Sequence, residues 1–342
     1  MPKKYLKINV PLFLKEEVYP LIEEGADEFY CGFLPSEWHG KFSRVVSINR
    51  RNYAQGNVQS FQDLQGMVRD AHTRKVPVHL TLNAQTYTCE QLVFLKDYCL
   101  KVVEKAGIDG FVVSDPGLIV LIREWIPDIS IHVSNLAAVH NSMAIKFFGQ
   151  LGAKRIILPR QVTITEVVEM QNVNPEMELE AFILNDGCVL EEGNCCTTHD
   201  RGAFCMTEWR YQFKTNGKRN HFSDKEKENL KSNQEAYSHW IRCHEDIGRF
   251  PTPMGYSMGP CGLCAILALY QANVTALKVV GRESTTDRKI KSVRITRIIR
   301  DLVLGGATED SIIKAAIDLR MTHDVCKSGY FCYYPSIIRN RK

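Results

Sequence analysis

The sequence predicts an α/β fold, a (β/α)8 TIM-like barrel, from three observations. Four times, a helix-like stretch ends on a residue able to adopt the left-handed conformation and runs straight into a short apolar segment. Counting further apolar runs of the same length, eight strand-like segments alternate with helical patterns at even spacing. The alternation then fails from about 187 to 260, as an insertion emerging from one end of a barrel would make it fail. Periodicity leaves a doubly wound open sheet as the alternative.

The elements follow in order. Strand one is expected at 6–10. Gly25 closes a helix ahead of strand two at 28–31, and a helical pattern at 61–72 precedes strand three at 76–82. A helix at 89–104 ends at Gly107, before strand four at 110–113; strand five lies at 129–134. A helix at 138–150 leads through Gly152 to strand six at 155–158. Thr163 and Glu166 form a capping-box pair opening a helix at 163–170, ahead of strand seven at 179–184. Asn273 stands where the other repeats have glycine, before strand eight at 274–280. A helix at 284–304 follows and carries Arg288, Lys291, Arg294, Arg297 and Arg300 at three-residue spacing. That stripe is read as a solvated face, with an anion- or RNA-docking face as the alternative. The tail at 328–342 yields no reading. The expected division is barrel strands one to seven at 1–186, a cysteine-rich insertion at the catalytic face at 187–260, and the last strand with C-terminal helices at 261–342.

Composition narrows the class. The 342 residues are 44% hydrophobic and 24% charged, enough for a substantial core and incompatible with a disordered tail. No run reaches the roughly 18 apolar residues of a membrane span, and Glu16 and Glu17 interrupt the N-terminal apolar run, so a cytoplasmic protein is expected. The net charge of +4 permits an anionic substrate or RNA without arguing for either. Twelve cysteines in such a chain point to metal or redox chemistry, because disulfide frameworks belong to small secreted domains.

Six of these cysteines crowd just beyond the seventh strand and before the eighth: Cys188, Cys195, Cys196, Cys205, Cys261 and Cys264. An iron–sulfur cluster takes four thiolates on loops, with irregular spacing and one ligand from afar. Structural zinc favours two paired knuckles, and only Cys261-Gly262-Leu263-Cys264 has that form in this stretch, which places zinc second. The expected ligands are Cys188, Cys195, Cys205 and Cys264, with Cys196 and Cys261 as substitutes. Cys264 is expected in a first helical turn, where exposed N–H groups favour a thiolate. Cys31, Cys89, Cys99 and Cys243 are scattered and are read as small buried hydrophobes.

The run Asn185-Asp186-Gly187-Cys188, then Cys195, Arg201-Gly202-Ala203-Phe204-Cys205, Gly262-Leu263-Cys264 and Leu277-Lys278-Val279-Val280-Gly281-Arg282 resembles the collagenase-like peptidase family U32. Gly25-Ala26-Asp27, Leu82-Asn83, Gly152-Ala153-Lys154-Arg155 and Leu158-Pro159-Arg160 extend the resemblance over nearly the whole chain. It implies a 4Fe–4S cluster and oxygen-independent hydroxylation, of ubiquinone precursors or of RNA bases, with prephenate as oxygen donor. A heteromeric partner of the same family is also implied. Two departures stand out: Val280 replaces the acidic residue of the family's Leu-Lys-Ile-Glu-Gly-Arg strand, and 211–258 is expanded.

Hydrolytic motifs are absent. There is no Gly-x-Ser-x-Gly elbow and no His-Glu-x-x-His helix, since His244-Glu245-Asp246 lacks the second histidine. Peptidase activity is therefore an alternative without visible machinery, and no nucleotide-binding glycine motif occurs. Polar residues at strand ends are the expected substrate-binding groups: Asn83, His132, Lys278, Arg160 and Arg282, with Asp115, Asn135 and Gln161 beside them. Arg160 and Arg282 are the preferred clamps for a dicarboxylate donor, because a planar guanidinium binds carboxylate bidentately; Arg50 and Arg51 are weaker candidates. His79 is read as a core histidine. The expected function is an iron–sulfur hydroxylase acting on a small molecule or RNA base, with a non-catalytic cluster-bearing subunit as the reading from another class.

Overall fold

A computed structural model describes residues 5–42, 47–51, 56–185, 187–188, 192–195, 209, 212–215, 221–245 and 251–339. Eight parallel strands close a barrel in sequence order: β1 (Lys7–Leu12), β2 (Glu28–Cys31), β3 (Val78–Leu82), β4 (Gly110–Val113), β5 (Ser130–Val133), β6 (Arg155–Ile157), β7 (Glu178–Leu184) and β8 (Ala276–Val279). The seam between β1 and β8 pairs Lys7 with Ala276 and Asn9 with Lys278. The open-sheet alternative is thereby excluded.

Around the barrel run α1 (Val18–Glu24), α2 (Ser36–Phe42), α3 (Phe61–Thr73), α4 (Cys89–Lys101), α5 (Pro116–Trp125), α6 (Ser142–Gln150) and α7 (Ile164–Val173). Then follow α8 (Asp224–Glu245), α9 (Ile266–Gln271), α10 (Thr286–Leu304), α11 (Glu309–Arg320), α12 (His323–Ser328) and α13 (Ser336–Arg339). The four expected left-handed residues are all left-handed, with φ of 110° at Gly25, 78° at Gly107, 90° at Gly152 and 69° at Asn273. Each turns a helix end back into a buried strand. The Thr163–Glu166 capping box forms, and Ser60, Thr88, Asp115, Asn141, Thr285 and Thr308 cap the starts of other helices.

Two local expectations shift. The helix expected from 138 starts at Ser142, because Ala138 has φ 53° and Asn141 supplies the cap. Inside the irregular interval stands the 22-residue α8, which the sequence reading did not assign; its charged composition lacks the apolar stripe by which packed helices are recognised.

The basic stripe of α10 is occupied by partners from its own chain. Arg294 binds Glu24 bidentately, with Nε at 2.9 Å and Nη2 at 2.5 Å, and Arg300 meets Asp27 at 2.7 Å. Arg297 approaches Glu24 at 3.8 Å, Lys291 pairs with Asp287, and Arg288 donates to Ser257. These contacts stitch α10 to α1 and to its surroundings, so the docking alternative loses its motivation.

Side chains alternate along each strand between the helix layer and the barrel interior. Ile8, Val10, Phe29, Ile131, Ile156 and Ile183 are fully buried in the hydrophobic core. The interior carries charge instead. At its lower end Lys7, Arg155 and Lys278 face Glu28, Glu178 and Glu180, three cations against three carboxylates. Arg155 contacts all three carboxylates, Lys278 Nζ lies 2.7 Å from Glu180, and Asn9 donates to the same carboxylate at 3.0 Å.

Candidate active site at the barrel mouth

The C-terminal strand ends carry the expected polar residues, but at two depths. Deep in the barrel, His132 and Lys278 occupy the third positions of β5 and β8 and are buried. The His132 ring stacks on His79 with centroids 4.1 Å apart. Gly110 makes room for this pair: a Cβ there would stand 2.8 Å from His79 Cδ2 and 2.5 Å from the Ser130 carbonyl oxygen. Burial lowers the pKa of both imidazoles, and the positive groups Arg155 and Lys278 lower that of His132 further, so the pair is neutral. His132 Nδ1 is buried with no hydrogen-bond partner. His79 is a core histidine, as expected. Lys278 also lies over the Tyr30 ring, 3.8 Å from its centroid, and burial pulls its pKa down against the pull of Glu180.

Above this layer, Asn83, Arg160 and Arg282 are only partly buried. Asn83 donates to Ser134 Oγ at 3.4 Å, and its buried carbonyl oxygen has no partner. Arg282 donates to Thr81 Oγ1 at 3.1 Å and to the Asn49 carbonyl at 2.8 Å, both neutral acceptors. Burial, followed by the neighbouring charge of Arg51, lowers its pKa to about 10, so it stays a cation at neutral pH, and among the described residues no carboxylate is hydrogen-bonded to it. Gly32 permits this position, because a Cβ there would collide with Arg282 Nη1 and stand 2.7 Å from Asn49 Nδ2. Arg51 is engaged by Glu283, and Arg50 approaches Gln85 at 3.4 Å.

Arg160 differs. Its guanidinium lies 4.0 Å above the Phe182 ring and pairs with Glu192 from the insertion. Asn135 donates to the same carboxylate, and Gln85 donates to the Gly193 carbonyl. The turn Glu192–Asn194 is thus fastened over the β5–β6 side of the mouth by three contacts. Asp115 caps α5, which gives it a structural role.

The cysteines expected as ligands divide. Asn185, with φ 65°, directly follows β7, and Cys188 is partly buried. Cys195 donates its N–H to the Glu192 carbonyl at 3.2 Å and so sits beside the mouth. Cys205 and the substitute Cys196 lie outside the described residues. Cys264 lies in a 3-10 turn (Leu263–Ala265) ahead of α9; there burial, reinforced by Cys261, Cys326 and Cys332 nearby, pushes its thiol pKa up. Desolvation therefore outweighs the thiolate-favouring helix start expected from the sequence. Among the described residues, no three Cys, His, Asp or Glu side chains converge as around a metal ion.

A family model described as peptidase family U32 matches residues 15–341. The chain belongs to peptidase family U32. This U32 chain is 32% identical over 171 residues to tRNA hydroxylation protein P of Escherichia coli K12, a match covering 50% of the chain and 34% of that protein. It thus spans about a third of that relative's length. It is 28% identical over 211 residues to tRNA hydroxylation protein P1 of Bacillus subtilis, covering 59% of the chain and 46% of the relative. An uncharacterized protease of Methanocaldococcus jannaschii is 25% identical over 305 residues, 85% of the U32 chain and 64% of that protein. The solved U32 peptidase Mk0906 superposes with a TM-score of 0.43 at 17% identity, over 54% of this chain and 70% of that one.

The sequence reading missed the charged barrel floor and the proximity of Cys264 to thiols of the C-terminal tail. A signal existed for each: acidic and basic residues inside otherwise apolar strands, as at Glu178-Leu179-Glu180, and the second cysteine pair, Cys326 and Cys332.

Proposed function

We propose that the chain is an enzyme of RNA modification that hydroxylates a base, tRNA being the first substrate to examine, with the barrel mouth as its reaction pocket. The similarity to proteins named for tRNA hydroxylation supports the substrate class. The single observation that carries the site is Arg282, a cation at the mouth whose hydrogen bonds, among the described residues, go to neutral oxygens. Such a group binds a carboxylate or phosphate at little cost, because no existing ion pair has to break. Arg160, held by Glu192 and Phe182, stands on the same rim at the end of β6.

Without dioxygen, the new oxygen must come from a donor. In this reading the donor is a dicarboxylate of the prephenate type: its hydroxyl becomes the base's C–OH, and it takes up the displaced hydrogen, so atoms and electrons balance. Arg282 holds a donor carboxylate, and the amide of Asn83 orients a polar edge through its unpartnered oxygen. The buried neutral histidines keep the pocket floor free of a titrating proton. A 4Fe–4S cluster on cysteine thiolates, when bound, would supply one-electron redox chemistry.

The test compares tRNA nucleosides from cells with the gene, without it, and carrying Arg282→Ala. The expected result is loss of an oxygen-bearing nucleoside in the deletion and a strong reduction in the variant. Identical nucleoside profiles in all three strains would overturn the reading.

A further inference from the structure

Arg160 and Arg282 both follow strand ends at the mouth, and they differ in what they hold. Arg282 donates to the neutral oxygens of Thr81 and Asn49, whereas Arg160 is paired with the carboxylate of Glu192. In that second pair the cation is the inner member. Its side chain is 9% exposed and lies against the Phe182 ring, while Glu192 reaches in from the insertion with 23% exposed. A second donor converges on the same oxygen: Asn135 Nδ2 donates to Glu192 Oε2, the atom that faces Arg160. The Asn135 amide is oriented for this contact, because its Oδ1 accepts from Ser134 Oγ, which in turn accepts from Asn83 Nδ2, each at 3.4 Å.

A guanidinium and a side-chain amide that converge on one carboxylate oxygen make a binding site for a carboxylate, and the chain's own glutamate occupies it. The backbone that delivers Glu192 is pinned independently of its side chain. The Gly193 carbonyl accepts from Gln85 Nε2, and the Glu192 carbonyl accepts the Cys195 N–H at 3.2 Å. A Cβ on Gly193 would stand 2.6 Å from that of Ala138, so the turn lies tightly against the segment that carries Asn135. Rotation of the glutamate side chain alone therefore clears Arg160 and Asn135 while the turn stays in place, and its partial exposure lets the released carboxylate reach water. Exchanging this carboxylate for one from a ligand leaves the nearly buried guanidinium with a counter-charge in either state.

We propose that Arg160 and Asn135 form a second carboxylate site at the mouth, that Glu192 is its internal competitor, and that a carboxylate of the oxygen donor takes the place of Glu192. The inference rests on the reading of the mouth as the reaction pocket, and adds to the anion site at Arg282. A tethered ligand competes through its high effective concentration. Only molecules with Glu192 turned away are competent at Arg160, and the apparent affinity falls by that fraction. The two carboxylates of a donor are thus bound with unequal ease: one goes to Arg282, whose hydrogen bonds among the described residues go to neutral oxygens, and the other must displace Glu192. Glu192 in this way selects for ligands that carry the second carboxylate, since a monocarboxylate seated at Arg282 leaves the internal pair intact.

The experiment titrates prephenate calorimetrically into the full chain as wild type, Glu192→Ala, Glu192→Gln and the double variant Glu192→Ala/Arg160→Met. Removing the competitor should tighten binding roughly ten- to a hundredfold, the range of one charged hydrogen bond, and the double variant should lose that gain. The glutamine variant keeps the side chain's shape and guards against a collapsed turn, so tightening in either single variant supports the proposal when the double variant abolishes it. Affinity that is equal or weaker in both single variants, absence of binding in all four proteins included, overturns it. A gain that persists in the double variant overturns it too, because a general fall in negative charge at the mouth would then account for the effect. The outcome is separable from the RNA reading, whose measure is the tRNA nucleoside profile. Tightened binding with unchanged nucleosides defeats only that reading, and a lost nucleoside with unchanged affinity defeats only the competition.

Discussion

Arg155, at the foot of β6, donates through Nη2 to Glu28 Oε1 at the foot of β2, 3.1 Å away and 127 residues earlier in the chain. Both side chains are almost wholly buried, at 1% and 3% exposure. Removing the cation leaves buried carboxylates unpaired, which costs about 3–5 kcal/mol. Arg155→Met should lower the urea unfolding free energy by that amount, and a variant as stable as wild type would show the floor to be dispensable.

The same pair sets acid stability. Burial works to raise the Glu28 pKa, but the hydrogen bond and charge of Arg155 prevail and take it to about 2, against an ordinary 4.5. A carboxyl whose folded pKa is depressed stabilises the fold above its unfolded value, and that contribution, about 3 kcal/mol, is lost as pH falls from 4.5 toward 2. His79 and His132, also depressed, act earlier. The unfolded chain binds protons below the ordinary 6.5 while the stacked pair does not, so stability starts to fall there. Denaturation midpoints against pH should therefore decline in two stages, and His132→Gln should flatten the upper one. An unchanged upper stage would contradict the neutral-pair assignment.

Gly32→Ala is a subtler probe of the mouth than loss of the arginine. The added methyl group displaces Arg282 and presses on Asn49 without changing any charge. Binding of a dicarboxylate donor should weaken roughly ten- to a hundredfold, the worth of one charged hydrogen bond, while the fold persists. Titration calorimetry of the two proteins decides it.

For α10 the expected outcome is negative. Since Arg294 and Arg297 are spent on Glu24, Arg294→Ala/Arg297→Ala should leave the affinity for tRNA and its salt dependence unchanged. A reduced salt slope in filter binding would return the stripe to the RNA interface.

Legibility followed locality. Gly25, Gly107, Gly152 and Asn273 announce strand starts because one residue's backbone freedom determines the turn, and Thr163 with Glu166 announces a helix within four positions. Together with eight apolar runs at even spacing, these local signals sufficed for a closed barrel. That Arg160 and Arg282 follow the C-terminal ends of β6 and β8 was also legible, since strand order dictates which end a residue occupies. The Glu28–Arg155 floor and the Cys264–Cys332 neighbourhood depend on contacts between distant segments, and α8 lacks an apolar face, so neither periodicity nor spacing revealed them.

A floor of three cations matched to three carboxylates also governs how such chains diverge. Altering one of the deeply buried members, Glu28, Arg155, Glu180 or Lys278, strands an opposite charge away from water, so single changes there are expected to destabilise the fold. Glu28, Arg155, Glu180 and Lys278 should change in concert or stay fixed, leaving the rim loops as the part of the molecule free to acquire new substrates.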